Sequence, residues 1–202
     1  MNLIAVTQRV MVVPQYGERR DAVDQQWTRF LDHCGFTPVL VPNVRAVAER
    51  LVAGLPVRGL LLTGGNDLSD YGGDAPERDD TERGLLEHAL ERRLPVIGVC
   101  RGMQVIQAYC GVPLKPVEGH VTADHEITVG ATPDHVNSYH RWGSVQTVED
   151  LAVWARARDG VVEAVRHRAA PVAGVMWHPE RFQQPRPQDV DLFRRAFLTE
   201  VP

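Results

Sequence analysis

Cys100 is the residue whose type and setting could do chemistry in this chain. It directly follows the apolar run Val96–Val99, which predicts a buried strand, and a helical pattern of apolar residues begins just after it. A side chain on such a tight strand-to-helix turn is raised above the sheet. It also lies at a helix N-terminus, where free N–H groups and the helix dipole favour an anion. A thiol in this setting can become a reactive thiolate, so we expect Cys100 to be a nucleophile.

A nucleophilic cysteine needs a base, and the base needs an orienting partner. Of the eight histidines, His178 stands apart because it follows a strand pattern and only Pro179 separates it from Glu180. This extended spacing lets the carboxylate hold one imidazole nitrogen while the other faces the thiol. The sequence therefore predicts a triad of Cys100, His178 and Glu180.

Acyl transfer also needs two preset N–H donors for the oxyanion. One candidate is the backbone N–H of Arg101, immediately after the nucleophile, and the other comes from Gly64-Gly65 at the end of a neighbouring predicted strand. Glycines there let the backbone approach a substrate carbonyl closely. Gln104 lies one helical turn beyond Cys100 on the same face, so we expect it to contact the substrate.

The first half of the chain alternates strand and helix patterns that must position these residues. Predicted strands cover Leu3–Thr7, Pro38–Val41, Gly59–Leu62 and Val96–Val99. Predicted helices cover Asp21–Cys34, Val44–Ala53 capped by Asn43, Thr81–Arg93, and the segment from Cys100 to Cys110-Gly111. This order predicts an α/β fold with an open, mostly parallel sheet and helices on both faces. Ligands bind such sheets at the carboxyl ends of the strands, which are followed here by the connections Thr7–Arg20, Thr63–Asp80 and Cys100–Gln104.

The second half contains short alternating segments instead. Predicted strands cover Glu126–Val129, His135–Asn137, Leu151–Ala157, Val161–Arg166 and Val172–Met176, with a hairpin signal at Asp159-Gly160. We expect these segments to add antiparallel strands to one edge of the sheet, followed by a last helix over Gln188–Thr199.

The composition narrows the class of protein. A length of 202 residues favours a single domain over 1–202, and a net charge of −4 disfavours a nucleic-acid partner. No apolar run reaches the roughly 18–20 residues of a membrane span, and the N-terminus lacks the pattern of a signal peptide. Three cysteines favour reduced thiols. We therefore expect a cytoplasmic protein, and the oligomeric state does not follow from the sequence.

The remaining cysteines and histidines suggest no metal or cofactor. Cys34 and Cys110 end predicted helices and are expected to be core or cap residues, with a redox pair as the alternative. His120 and His125 could hold a metal, but no carboxylate or cysteine completes a ligand set at a familiar spacing. The sequence therefore predicts neither a metal nor a cofactor.

Several motifs together resemble the class I glutamine amidotransferase superfamily. They are G-V-C-R-G-M-Q, T-G-G-N-D, V-N-S-Y-H, D-G-V-V-E-A and W-H-P-E, and they are most similar to the γ-glutamyl hydrolase (peptidase C26) branch. The resemblance implies a flavodoxin-like sheet and catalysis through a γ-glutamyl thioester on Cys100. It also implies roles for particular residues: a Cys100, His178 and Glu180 triad, oxyanion donors at Gly65 and Arg101, and a pocket for the glutamyl group lined by Gly64, Gln104, Asn137, Ser138 and His140. Arg101 after the nucleophile is more typical of stand-alone hydrolases than of synthase-linked glutaminases.

The N-terminal half resembles one narrower subfamily, the γ-glutamyl-CDP-amidate hydrolases of capsular O-methyl phosphoramidate biosynthesis. The resemblance rests on T-Q-R at Thr7–Arg9, Y-G-E-R-R-D at Tyr16–Asp21, D-Q-Q-W at Asp24–Trp27 and V-P-N at Val41–Asn43. It implies release of glutamate and cytidine diphosphoramidate. Arginine forks suit a diphosphate and a tyrosine can stack on a base, so the expected leaving-group contacts are Arg9, Tyr16, Arg19 and Arg20. The nearby carboxylates of Glu18, Asp21 and Asp24 could instead neutralise these arginines.

Three other functions remain open at this point. A γ-glutamyl-GABA-type hydrolase differs only in its leaving group, and a glutaminase subunit would pass ammonia to a partner synthase. An inactive binding module is the third, although all three predicted triad residues are present.

Overall fold

The helices and strands alternate through the first half of the chain, as the apolar pattern predicts. The computed structural model describes residues 1–198. Its strands are β1 (Leu3–Val6), β2 (Arg9–Val13), β3 (Glu18–Ala22), β4 (Thr37–Leu40), β5 (Val57–Leu62), β6 (Val96–Val99), β7 (Lys115–Pro116), β8 (Val121–Val129), β9 (Thr132–Tyr139), β10 (Trp142–Gly143), β11 (Leu151–Ala157), β12 (Val162–His167) and β13 (Val172–Val175). Its helices are α1 (Gln25–Cys34), α2 (Arg45–Gly54), α3 (Pro76–Arg92), α4 (Arg101–Tyr109) and α5 (Pro187–Leu198).

One nine-stranded sheet has the order β4-β1-β5-β6-β13-β12-β11-β8-β9. The first five strands are parallel to one another, and the pairs from β13 onward are antiparallel. Numbered along the chain, the parallel strands have the order 2-1-3-4-5, which is that of flavodoxin-like sheets. The predicted fold class is therefore confirmed. Because parallel strands end at one edge, the segments after β1, β5, β6 and β13 meet there.

Helices cover both faces of the sheet. On one face, α1 contacts α5, and four aromatic rings from Trp27, Phe30, Phe193 and Phe197 pack edge-on or tilted against one another. On the other face, α2 contacts α3 and α3 contacts α4. Trp27 is buried, as expected for a core residue.

The connection predicted over Thr7–Arg20 is in fact a hairpin of β2 and β3, paired separately from the main sheet. The prediction was wrong because β3 reads Glu-Arg-Arg-Asp-Ala and is almost entirely exposed. A strand with no buried face has no apolar alternation to detect. The hairpin lies directly after β1, at the edge where the functional segments meet.

Three smaller expectations also differ from the structure. Asn43 does not cap α2; its side chain donates to Asp21 and to the Gln8 carbonyl, and the cap position is Val44. The helix predicted from Thr81 already begins at Pro76, where a proline suits the first turn. Strand β13 is a central parallel strand rather than an antiparallel edge strand, because it pairs with β6.

Other elements match closely. The strands over Val96–Val99 and Leu151–Ala157 have the predicted bounds, and the turn at Asp159-Gly160 joins β11 to β12. Thr199, the predicted end of the last helix, lies outside the described residues. Among residues 1–198, no helix combines the length and apolar character that a membrane crossing requires.

Phe193 should be a main contributor to stability, because it is fully buried between the rings of Trp27 and Phe30. We expect Phe193→Ala to lower the free energy of unfolding by about 3–5 kcal/mol, since it removes apolar contacts and leaves a cavity. Leu198→Ala, on the exposed side of the same helix, should change it by less than about 0.5 kcal/mol. Urea unfolding of both variants measures the difference, and equal effects would contradict this account of the core.

Candidate active site

Cys100 lies at a strained turn between β6 and α4. Its backbone has φ 54° and ψ −107°, a region that non-glycine residues rarely adopt. The Cys100 N–H donates to the Val175 carbonyl at 2.8 Å, which fixes the turn to the end of β13. The surrounding structure therefore holds the residue in a conformation that a free chain would avoid.

His178 lies three residues beyond the end of β13. The Asn137 side chain holds its backbone from both sides: Asn137 Oδ1 accepts from the His178 N–H at 2.8 Å, and Asn137 Nδ2 donates to the His178 carbonyl at 2.9 Å. His178 Nδ1 lies 2.7 Å from Glu180 Oε1 across the turn made by Pro179. The spacing of His178 and Glu180 thus produces the contact that the sequence predicts.

Gly64 lies close to both the His178 ring and the Cys100 side chain. A Cβ atom at this position would lie 2.8 Å from His178 Cε1 and 3.6 Å from both His178 Nε2 and Cys100 Cβ. Only a residue without a side chain leaves room for the ring beside the cysteine. The structure therefore brings Cys100, His178, Glu180 and Gly64 together, an arrangement able to perform nucleophilic acyl transfer.

Opposing effects act on the proton of His178. Burial lowers the pKa of His178, whereas the charge and hydrogen bond of Cys100 and those of Glu180 raise it, to about 9. The net rise favours an imidazolium beside the Cys100 sulfur at neutral pH. Such a pair supplies both the nucleophile and the acid for a leaving group.

The loop after β5 is organised by the guanidinium of Arg78, which is fully buried. Arg78 donates to the Thr63 carbonyl at 2.7 Å, to the Gly64 carbonyl at 3.2 Å and to the Gly65 carbonyl. In a trans peptide, the N–H points away from the carbonyl of the same unit. The Gly65 N–H therefore points away from Arg78, and it donates no hydrogen bond within residues 1–198.

The side chain of Arg101 is held by two carboxylates of α3. It donates to Glu82 and to Asp79 on α3, and Glu82 also accepts from Arg78 at 2.9 Å. Glu82 and both arginines are at most 1% exposed, so these charges compensate one another away from water. This network joins the first residue of α4 to the loop after β5.

The residues predicted to hold the glutamyl group are buried and engaged with the protein. Gln104 donates to the Trp142 carbonyl at 2.9 Å, and Asn137 holds His178. Ser138 donates to the His120 carbonyl at 2.7 Å, and His140 Nε2 lies 3.2 Å from His120 Nδ1. Neighbouring residues on a strand point to opposite faces, which is why Asn137 and Ser138 have different surroundings. Contact of these four residues with a substrate stays a prediction.

The predicted leaving-group residues separate into two groups. Arg9 lies in the cleft beside His178, and a Cβ on Gly65 would lie only 2.5 Å from Arg9 Nε. Gly65 has φ 86° and no side chain, so the guanidinium can pack directly on its backbone. Tyr16, by contrast, lies at the exposed hairpin turn, and neither it nor Arg19 or Arg20 lines this cleft.

Carboxylates neutralise the two arginines of β3, but of the predicted carboxylates Glu18, Asp21 and Asp24, only Glu18 pairs with one of them among the described residues. Arg19 donates to Glu77 at 2.6 Å and to the Asp74 carbonyl at 2.7 Å, whereas Arg20 donates to Glu18 at 2.7 Å. Arg9 forms no ion pair among the described residues. The structure thus places one of the three arginines in the cleft.

Sequence reasoning missed several residues of this site. Arg78 and Glu82 are four positions apart on α3, a spacing at which ion pairs are common on exposed helix surfaces. Nothing in the local sequence therefore indicates that the two side chains are buried. Asn66 exchanges two hydrogen bonds with the backbone of Val10, at 2.9 and 3.0 Å, and so joins the glycine loop to the hairpin. Arg181 lines the same cleft as Arg9, and its position directly after W-H-P-E was an available signal.

Comparisons with known proteins identify the family of this chain. The model of the Peptidase C26 family matches residues 2–128 and 113–180. The chain belongs to the Peptidase C26 family.

This chain is similar to two curated relatives and to one solved structure. A γ-glutamyl-CDP-amidate hydrolase of Campylobacter jejuni is 31% identical, over 88% of this chain and 90% of the relative. A γ-glutamyl-γ-aminobutyrate hydrolase of Escherichia coli is 30% identical, over 81% and 80%. A crystal structure described as that of a GMP synthase subunit from Thermoplasma acidophilum has a TM-score of 0.73 and 18% identity, covering 98% of this chain and 92% of that one. That likeness confirms the class I glutamine amidotransferase-like fold.

Glu82 should be essential to the site's stability. Glu82→Gln leaves Arg78 and Arg101 without their shared buried carboxylate, so we expect a loss of about 3–5 kcal/mol in the free energy of unfolding. Glu87 lies on the same helix as Glu82, but it is half-exposed and pairs with Arg45 of α2. Glu87→Gln should therefore lower the free energy of unfolding by at most about 1 kcal/mol. Urea denaturation compares the two, and a mild effect of Glu82→Gln would disprove the role of the network.

The His178 pKa should depend on Cys100. We expect an NMR titration to find it near 9 in the wild type and lower in Cys100→Ser, because serine removes the neighbouring negative charge. Since the folded pKa exceeds the ordinary value of 6.5, the stability from this proton is full below pH 6.5 and is lost as the pH rises through about 9. Cys110→Ser, at the end of α4, serves as the control and should not change the titration. Equal pKa values in wild type and Cys100→Ser would contradict the pairing.

Proposed function

We propose that this chain hydrolyses the γ-glutamyl amide of γ-glutamyl-CDP-amidate to glutamate and cytidine diphosphoramidate. Membership of the Peptidase C26 family and relatives named as γ-glutamyl hydrolases support a hydrolase of a C–N amide bond. The position of Arg9 carries the choice of leaving group. Its guanidinium forms no ion pair among residues 1–198 and packs against Gly65, beside His178.

The leaving nitrogen of this substrate is bonded directly to phosphorus, so the diphosphate follows the scissile bond without a spacer. An enzyme for it needs a cation within a few ångströms of the base. Arg9 and Arg181 both line the cleft together with His178. The Arg181 guanidinium lies 4.8 Å from the centre of the Tyr139 ring, and its Nε lies 3.6 Å from Glu180 Oε1. Planar guanidinium groups can bind phosphate oxygens in pairs. A neutral or singly charged leaving group would not require two arginines.

Cys100, His178 and Glu180 have the roles of nucleophile, acid–base and orienting carboxylate in the proposed reaction. The Cys100 thiolate attacks the γ-carbonyl carbon, and His178 gives its proton to the departing nitrogen as the C–N bond breaks. Water, deprotonated by His178, then attacks the γ-glutamyl thioester, which releases glutamate and restores the thiol. Glu180 holds the imidazole through Nδ1 so that Nε2 faces the sulfur.

The oxyanion donors in this proposal are the N–H groups of Gly65 and Arg101. The Gly65 N–H points away from Arg78, as the peptide geometry requires. The Cys100 carbonyl accepts from the Gln104 N–H at 3.1 Å inside α4, so the Arg101 N–H points out of the helix N-terminus. Loss of one such donor costs on the order of 10²–10³ in rate.

The purified chain should release cytidine diphosphoramidate from γ-glutamyl-CDP-amidate, as measured by mass spectrometry, and Cys100→Ala should abolish the release. Arg9→Ala should lower kcat/KM for this substrate about 10–100-fold, the size of a lost charge-assisted hydrogen bond, with little change on a γ-glutamyl-GABA control. Arg58→Ala, an exposed arginine on β5, should leave both rates unchanged.

Other outcomes identify the alternatives. Faster turnover of γ-glutamyl-GABA would reject the nucleotide substrate and favour the aminobutyrate hydrolase. Turnover of free glutamine alone would indicate a glutaminase. Activity retained in Cys100→Ala would reject the thioester mechanism itself.

A further inference from the structure

Three histidines converge on one buried carboxylate, on the antiparallel side of the sheet. Glu163 on β12 is fully buried, and its Oε1 lies 3.0 Å from His120 Nδ1, 3.3 Å from His125 Nε2 and 3.3 Å from His140 Nε2. The side chains of His120 and His140 are each 1% exposed, and that of His125 is 12% exposed. Neither the proposed reaction nor the packing of the sheet accounts for this cluster.

The outer nitrogens of two rings determine where their protons lie. His120 Nε2 faces Asp159 Oδ2 at 3.0 Å, and His140 Nδ1 faces the Trp142 carbonyl at 3.0 Å. Both partners are acceptors, so each outer nitrogen must carry the hydrogen. In the neutral rings, the inner nitrogens of His120 and His140 then direct lone pairs toward the Glu163 carboxylate. Three electron-rich groups in a buried space require a positive centre between them.

The alignment of these groups fits a metal ion. His120 Nδ1 and His140 Nε2 lie 3.2 Å apart and can share a proton with each other, but the remaining inner atoms have no such partner. Although the ring nitrogens are close to Glu163, neither of its oxygens, nor His125 Nε2, has a partner in hydrogen-bonding geometry within the described residues. The separations of 3.0 and 3.3 Å between Glu163 Oε1 and the nitrogens of His120 and His125 match those of a metal site. Two ligands on a tetrahedral zinc, each about 2.0–2.1 Å from the metal, lie about 3.3 Å apart.

We propose that His120, His125 and Glu163 bind a divalent transition-metal ion, with zinc as the best match. Their ligand atoms all lie within 4.8 Å of one another. His140 Nε2, which lies 3.2 Å from His120 Nδ1 and 3.3 Å from Glu163 Oε1, is a further candidate ligand atom. The Asp159 carboxylate and the Trp142 carbonyl act as the outer partners that metal-binding histidines commonly have. Imidazole and carboxylate together are typical zinc ligands.

The site would brace strands β8 and β12, beside the segment that carries His178. His120 precedes β8, His125 lies on β8 and Glu163 lies on β12, with β11 between the last two strands. The Glu163 carbonyl accepts from the Met176 N–H at 2.8 Å, two residues before His178. Ser138, bonded to the His120 carbonyl, is the neighbour of Asn137. A metal here would be structural and outside the proposed reaction.

Metal analysis of the full chain, purified without a histidine tag or chelator, tests the proposal. We expect about one equivalent of zinc per chain after dialysis against Zn²⁺, and visible absorption bands when Co²⁺ replaces it. Free Zn²⁺ at about 100 times Kd should raise Tm by about 5–10 °C. Glu163→Gln and His125→Asn should lose the bound metal and this shift.

A matched control is His135→Ala, which removes an exposed histidine on β9 whose Nδ1 lies 2.7 Å from Asp124. It should keep the metal and the Tm shift. A wild-type protein that is folded by circular dichroism yet binds no stoichiometric Zn²⁺ or Co²⁺ would overturn the proposal. NMR signals of doubly protonated His120 and His140 in the metal-treated protein would do the same, because protons would then occupy the cluster. Since the wild type alone gives these results, failure of a variant to fold cannot obscure them.

Discussion

The candidate site depends on one buried set of charges, in which Glu82 lies between Arg78 and Arg101. Arg78 gathers the carbonyls of the loop after β5, and Arg101 is the first residue of the helix behind the thiol. Because none of these charges can return to water without losing its partners, the loop and the helix are held in one relative position. The space between Gly64, Cys100 and His178 is defined by that constraint. A strained cysteine backbone can persist only where its surroundings are this rigid.

The parallel half of the sheet supplies the rest of the geometry. Strands β5, β6 and β13 are neighbours and run in the same direction, so Gly64, Cys100 and His178 emerge at one edge. Hydrogen bonds at this edge then fix the two backbones: the Cys100 N–H donates to the Val175 carbonyl, and the His178 N–H donates to Asn137 Oδ1. The hairpin after β1 adds the Arg9 guanidinium, and Asn66 fixes that hairpin to the glycine loop. The groups proposed for chemistry and for leaving-group recognition therefore belong to one connected framework.

The antiparallel half contains the second buried polar centre of the described chain. Its histidines and Glu163 are separated from the thiol by a short series of contacts. Gln104, one turn along α4 from Cys100, donates to the Trp142 carbonyl that also faces His140. Ser138 and Asn137 connect the same cluster to His178 in the other direction. Both sides of the proposed catalytic pair thus rest on the arrangement of this cluster.

The sequence by itself determined the alternation of strands and helices in the first half of the chain, the turn at Cys100 and the pairing of His178 with Glu180. These features follow from local patterns, namely apolar periodicity and a two-residue spacing. Only the tertiary structure decided that Glu18–Ala22 is a strand, that Arg9 rather than Arg19 or Arg20 lies in the cleft, and that Arg101 pairs with Glu82. It also placed Glu163 beside histidines that lie far from it in the chain, which the search for locally spaced ligands could not find. A local pattern of apolar residues predicts which face of a helix or strand is buried, whereas the partners of a polar side chain depend on which distant segments the fold brings together.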